Sequence, residues 1–139
     1  MLLKYELQST RHAKYLLHAH LVFTPKFRKK IFTAEHFTVM RQVFELVCNK
    51  SDARLVEFDG EADHVHLLVI YPPRISIATL VNTLKGVSSR MLRKQFNIFH
   101  QSYWGNGISL WSRSYFAASV GGAPIEILRQ YIEQQKTPD

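Results

Sequence analysis

The apolar and polar positions along the chain divide it into short and long elements of different period. "KYLLHAHLVF" (14–23) is dense in apolar and aromatic residues and reads as a first strand. A basic connection, "TPKFRKKIF" (24–32), follows it. From 33 to 51 the period becomes helical: Phe37, Met40, Phe44 and Val47 recur on one face behind Thr33, a residue type suited to an N-cap. "ARLVEFD" (53–59) predicts a second strand and "DHVHLLVIY" (63–71) a third. The short connection containing Gly60 makes these two a hairpin, and Pro72-Pro73 ends it. A second long helix is expected over 76–96, with Ser76 as its cap. Residues 97–113 read as a loop holding Tyr103, Trp104 and Trp111, and "SYFAASV" (114–120) as a fourth strand. Gly121-Gly122 breaks the chain, and 123–136 predicts a last helix with Pro124 in its first turn.

The order is β-α-β-β-α-β with an extra C-terminal helix. It predicts an α+β, ferredoxin-like (RRM-like) antiparallel sheet with the first and third strands adjacent at its centre and two helices on one face. The chain shows no repeat or linker, and its 139 residues fit a single domain over 1–139. Such a fold hosts many functions, so function has to come from particular residues.

Charge changes the picture more than overall composition does. Eighteen Lys and Arg against eleven Asp and Glu give a net charge of +7, which favours a polyanionic partner, nucleic acid before anionic membrane. The basic residues gather in "RHAK" (11–14), in Lys26, Arg28, Lys29 and Lys30, and in Lys85, Arg90, Arg93 and Lys94 of the second helix; Arg113 lies beside Trp111. Tyr103, Trp104 and Trp111 could stack on bases or pack under the sheet. The single cysteine, Cys48, falls in the apolar pattern "VFELVC" and reads as a core thiol, in keeping with a reducing cytoplasm. No apolar run approaches a membrane span, and the first residues lack the apolar segment of a signal peptide.

The third strand carries the candidate chemistry. Strand side chains alternate faces, so Val65, Leu67, Val69 and Tyr71 form the side expected under the helices, while His64, His66, Leu68 and Ile70 share the other. The pair has two readings, half-buried histidines bonded to neighbours or two imidazoles able to reach one ion. A rival pair, His18 and His20, shares a face with Val22 on the first strand, and spacing does not rank the two pairs. Asp63 has the wrong parity to join His64 and His66 and is assigned to the turn. On the last helix Tyr131 and Gln135 lie four residues apart, hence on one face, beside the apolar stripe of Ile125, Leu128 and Ile132.

"DHVHLLV", "LWSRSYF", "SVGGAP" and "YIEQQ", in that order over nearly the whole chain, resemble the small TnpA-type single-tyrosine transposases of bacterial and archaeal insertion sequences, members of the HUH nuclease superfamily. The resemblance implies an enzyme that cuts single-stranded DNA at hairpin-bearing element ends and rejoins it through a 5′-phosphotyrosine. It places His64 and His66 as metal ligands, Tyr131 as nucleophile and Gln135 as third metal ligand, with Mg²⁺ or Mn²⁺ as cofactor. Nitrogen and amide-oxygen ligands suit Mn²⁺ better than Mg²⁺. It further implies a homodimer in which the final helix swings on Gly121-Gly122 and delivers Tyr131 to the histidines of the partner subunit. His18-Ala19-His20 departs from the family pattern, and neither histidine there is given a catalytic role. Three rivals remain: a domesticated repeat-associated tyrosine transposase; a non-catalytic RRM-type module, for which "DHVHLLVI" lacks the expected aromatics; and a metal hydrolase using water, for which no carboxylate has suitable spacing.

Overall fold

The computed structural model describes residues 8–9, 12–97, 110–119 and 133. Its main sheet has four antiparallel strands: β3 (His18–Phe23), β4 (Arg54–Glu61), β5 (His64–Ile70) and β6 (Phe116–Ser119), in the order β4-β5-β3-β6. A separate two-stranded ribbon pairs β1 (Gln8–Ser9) with β2 (Lys14–Tyr15). Helices α1 (Ala34–Lys50) and α2 (Ile77–Gln95) pack on each other and on one face of the sheet. This is the expected ferredoxin-like arrangement, with β3 and β5 central.

The parity reading holds for the central strands. Ala19, Leu21 and Phe23 of β3 and Val65, Leu67 and Val69 of β5 enter one core with Met40, Phe44, Val47, Leu80, Val81 and Leu84 of the helices. The opposite face is less open than expected: Val22, Leu68 and Ile70, which share it with the histidines, are also fully buried. Cys48 is the expected core thiol, and burial pushes its pKa up to about 12.

Strand boundaries and one register differ from the pattern-based reading. The first strand is two pieces, because Lys14–Tyr15 pairs with the N-terminal ribbon and only His18–Phe23 joins the sheet. Hydrophobicity continued across the change of partner. The second strand runs on to Glu61, so the hairpin turn is Ala62-Asp63 and Gly60 belongs to the strand, opposite Val65. The reason for glycine there is space: a Cβ would lie 2.8 Å from Phe37 Cε1 of α1 and 3.1 Å from the His64 carbonyl oxygen. Within β4 a bulge between Leu55 and Glu57 shifts the register, so that Leu55 stays opposite Val69 while Phe58 pairs with Leu67.

Both expected N-caps are present. Ser76 Oγ accepts from the Thr79 N–H at 3.1 Å. At α1, the Thr33 N–H donates to His36 Nδ1 at 3.0 Å, an imidazole doing the reciprocal work usually done by Glu or Gln. His36 is buried between Phe32 and Phe96, and that burial lowers its pKa against a smaller raising effect of Glu35. Protonation would also remove the Nδ1 lone pair that accepts from Thr33. With the folded pKa below the unfolded 6.5, the stabilisation is complete above that value and is lost as pH falls through the folded pKa. His36→Gln, which can still accept at that position, is expected to lose less stability than the parent between about pH 7.5 and 5.5 in urea unfolding. Equal losses in the two proteins would remove His36 as a source of the acid sensitivity.

Candidate active site

Strand β5 presents His64 and His66 on the face away from the helices, each half-buried. The β3–β5 register opposes His20 to Leu68 and His66 to Val22 on that same face. His20 and His66 therefore meet diagonally: their rings stack at 5.2 Å, and His20 Nδ1 lies 3.0 Å from His66 Nε2. One ring donates and the other accepts, a contact that two imidazolium ions could not make. Burial lowers the His66 pKa, with Asp59 opposing that shift and His64 adding to it. His66 is accordingly held in the neutral form that a metal ligand requires. The rival pair is thus partly absorbed: His20 touches the candidate site, and His18 pairs with Ile70 at the far end of the strand.

His64 is held differently. Its Nδ1 lies 3.0 Å from Asp63 Oδ1, and Asp63 Oδ2 accepts from Arg28 Nε at 2.9 Å. The side chains of Arg28 and Asp63 are only 14% and 12% exposed, which places this ion pair in a weakly screened setting. Burial alone would raise the Asp63 pKa; the His64 hydrogen bond and the Arg28 charge outweigh it, and the carboxyl sits below its ordinary value. An ionised carboxylate only accepts, so His64 donates through Nδ1; in the neutral ring this puts the lone pair on Nε2, open to a ligand. Asp63 is in the turn, as its parity required, and reaches His64 through its side chain.

Sequence spacing concealed two further neighbours. Across the hairpin, Asp59 pairs with His66 and Glu61 with His64, so both carboxylates lie beside the histidines. The register set by the two-residue turn Ala62-Asp63 brings them there. Among the described residues no group of three or more His, Cys, Asp or Glu is gathered as a metal site. The chemistry of the donors nonetheless fits a divalent ion: two imidazoles share a face, His66 is neutral and His64 is oriented by a carboxylate. Tyr131, Gln135, Gly121 and Gly122 lie outside the described residues; within 123–136 only Glu133 is described, as helical and exposed.

The basic candidates separate. Arg28 is engaged with Asp63, and Lys85 Nζ donates to the Ser112 carbonyl at 2.6 Å and the Arg113 carbonyl at 3.3 Å. Lys30, Arg90, Lys94 and Arg113 are exposed, while Lys26, Lys29 and Arg93 are intermediate. Arg90, Arg93 and Lys94 belong to α2, in the helix layer, across the sheet from the histidines. Trp111 is a core residue: it is 1% exposed, packs against Phe23 and Phe32, and donates from Nε1 to Ser88 Oγ at 2.9 Å. It is therefore not available to stack on bases. Two serines on the inner face of α2 make the pocket polar enough for the indole N–H and the Leu110 N–H. Tyr103 and Trp104 lie outside the described residues.

Among the described residues no helix is long and apolar enough to cross a membrane. Comparison with known proteins gives a consistent result. The family model for IS200-like transposases matches residues 13–135. The transposase for insertion sequence element IS200 from Salmonella typhimurium is 31% identical over 132 residues, 95% of this chain and 85% of that protein. The ISDra2 transposase TnpA from Deinococcus radiodurans is 26% identical over 135 residues, 97% and 95% of the two chains. A crystal structure assigned as a transposase from Deinococcus radiodurans R1 superposes with a TM-score of 0.84 at 28% identity, covering 94% of this chain and 98% of that one. A repeat-associated (REP) tyrosine transposase, solved bound to a REP hairpin, matches with a TM-score of 0.56 at 8% identity over 91% and 69% of the chains, a likeness of fold alone. With a match over nearly its whole length and the paired histidines on its central strand, the chain belongs to the IS200-like transposase family.

Proposed function

We propose that this transposase cleaves and rejoins single-stranded DNA at insertion-sequence ends through a 5′-phosphotyrosine on Tyr131, with metal assistance. The observation that carries the reading is the pair His64 and His66 on one sheet face, one oriented by a carboxylate and the other kept neutral. His64 and His66, with Gln135 from the final helix, would hold Mg²⁺ or Mn²⁺. When bound, the ion supplies charge neutralisation and orientation of the scissile phosphate.

The remaining work falls to the chain. Tyr131 Oη attacks phosphorus and gives up its proton, forming the tyrosyl phosphodiester as the P–O bond to the 3′ oxygen breaks. That oxygen leaves as a 3′-hydroxyl after taking up a proton. Because the phosphodiester energy is retained in the tyrosyl ester, a 3′-hydroxyl of another strand can reverse the step without ATP. The net charge of +7 favours the DNA strand, whose hairpin ends are the expected recognition element. Lys30, exposed on the basic connection, is a candidate phosphate contact. Lys30→Ala is expected to flatten the dependence of log K on log salt by about 0.7, one single-strand phosphate contact. An unchanged slope would exclude it.

The test is incubation with Mn²⁺ and single-stranded DNA carrying a candidate element end, followed by denaturing electrophoresis. A covalent protein–DNA adduct supports the proposal. Cleavage without an adduct supports water as nucleophile, a reading for which Asp59 and Glu61 beside the histidines supply carboxylates. A trans arrangement, with Tyr131 of one chain serving the histidines of the partner subunit, predicts that Tyr131→Phe and His64→Ala/His66→Ala chains regain cleavage when mixed. Folded mixed dimers without activity would exclude it.

A further inference from the structure

The geometry points to Asp63 and Arg28 as positioning residues of the metal site: a guanidinium–carboxylate–imidazole relay that fixes His64 as the Nδ1–H tautomer and presents Nε2 to the ion. This inference rests on the metal reading above. Three observations carry it. First, the two links are short and in series, Arg28 Nε to Asp63 Oδ2 at 2.9 Å and Asp63 Oδ1 to His64 Nδ1 at 3.0 Å. Each carboxylate oxygen has its own donor, so rotation of Asp63 would break both.

Second, the relay is mounted on a rigid support. The connection after β3 is tied to the hairpin turn by two backbone bonds, from Ile31 N–H and Phe32 N–H to the Ala62 carbonyl at 2.9 and 3.0 Å. At its other end Lys26 N–H donates to the Leu110 carbonyl at 2.9 Å. Arg28 thus approaches the turn from a segment anchored on both sides. Third, Phe27 and Arg28 have φ of 62° and 49°, two successive side-chain-bearing residues in the left-handed region. Such a conformation persists where surrounding contacts hold it, and is more often found at functional sites than in ordinary connections.

The chemistry follows from these placements. A carboxylate hydrogen-bonded to one nitrogen of a ligating histidine selects the tautomer, orients the ring and raises the basicity of the other nitrogen. His66 Nε2 faces His20 instead, so among the described residues the two ligands are held by different means. Arg28 fixes the Asp63 carboxylate through Oδ2 without occupying the oxygen that His64 uses. Its sequence neighbours Lys29 and Lys30 remain candidates for DNA, while Arg28 itself serves the histidine.

The experiment is Mn²⁺ titration of the full chain by calorimetry, paired with two-bond ¹⁵N–¹H correlation of the imidazoles without metal. The parent is expected to show His64 as the Nδ1–H tautomer. Asp63→Ala is expected to restore the Nε2–H form and to weaken Mn²⁺ affinity about 10–100-fold. Asp63→Asn can still accept the Nδ1–H but loses the charge facing Arg28, so it should keep the tautomer and lose less affinity. A purely structural role would lower the melting temperature without moving the tautomer. Loss of Mn²⁺ binding in His64→Ala, with Asp63→Ala indistinguishable from the parent in affinity and tautomer, overturns the relay and leaves the metal reading intact. Unchanged Mn²⁺ binding in both variants overturns the metal reading and the relay with it. If Asp63→Ala does not fold, Asp63→Asn and Arg28→Lys carry the test, and full parental affinity in both overturns the inference.

Discussion

Tyr131→Phe is expected to abolish the covalent protein–DNA adduct and to lower strand cleavage by at least ~10³-fold, while DNA binding and Mn²⁺ binding stay near parental values. The substitution removes one oxygen and keeps the ring, so the side chain's shape is changed as little as any variant permits. A free phenol has a pKa of about 10, and at neutral pH only a small fraction is phenolate. The reaction therefore needs the phosphate oriented in line and its charge offset, and a phenyl ring, which has no oxygen, cannot attack however the phosphate is held. Single-turnover cleavage of an end-labelled strand, resolved on a denaturing gel, measures the effect. An adduct that survives Tyr131→Phe would move the nucleophile to another residue. Cleavage at an undiminished rate with no adduct would establish a hydrolase.

His64→Ala and His66→Ala are each expected to remove Mn²⁺-dependent cleavage by ~10²–10⁴-fold, corresponding to roughly 3–5 kcal/mol of transition-state stabilisation. The two variants should differ in their structural cost. His64 sits beside the turn, and its loss leaves Asp63 still paired with Arg28. His66 is stacked on His20 and shares its face with the buried Leu68 and Ile70. Its truncation removes a ring contact and a hydrogen-bond partner of His20 Nδ1, at an expected ~1–3 kcal/mol of folding stability. Cleavage rates at saturating Mn²⁺, with urea midpoints for each variant, separate the chemical from the structural effect. Full activity in either variant at low Mn²⁺ would remove that histidine from the ligand set.

Much of this site was legible in the residues themselves. The alternation in "DHVHLLVIY" placed both imidazoles on the face away from the helices because strand parity is a local property of the backbone. Thr33 and Ser76 marked the helix starts for an equally local reason, since capping bonds join residues only three apart. Other features depended on which strand lay beside which. His20 reaches His66 across 46 positions, and Arg28 reaches Asp63 across 35. Neither contact has a spacing signature. Trp111 was compatible with a base-stacking loop until the structure placed it under the sheet, where Ser88 meets its indole N–H.

The hydrophobic pattern by itself determined the class of fold, the two-sided character of the central strands and the shared face of His64 and His66, while the family resemblance singled out Tyr131 and Gln135. The tertiary structure decided what surrounds the histidines. Pairing of β3 with β5 set His20 against His66, the β4–β5 hairpin register brought Asp59 and Glu61 beside the pair, and the anchored connection after β3 carried Arg28 to Asp63. The physical reason is range: face and cap follow from neighbours a few residues apart, whereas the electrostatic setting of a side chain follows from register between distant strands, which one residue of slip would change.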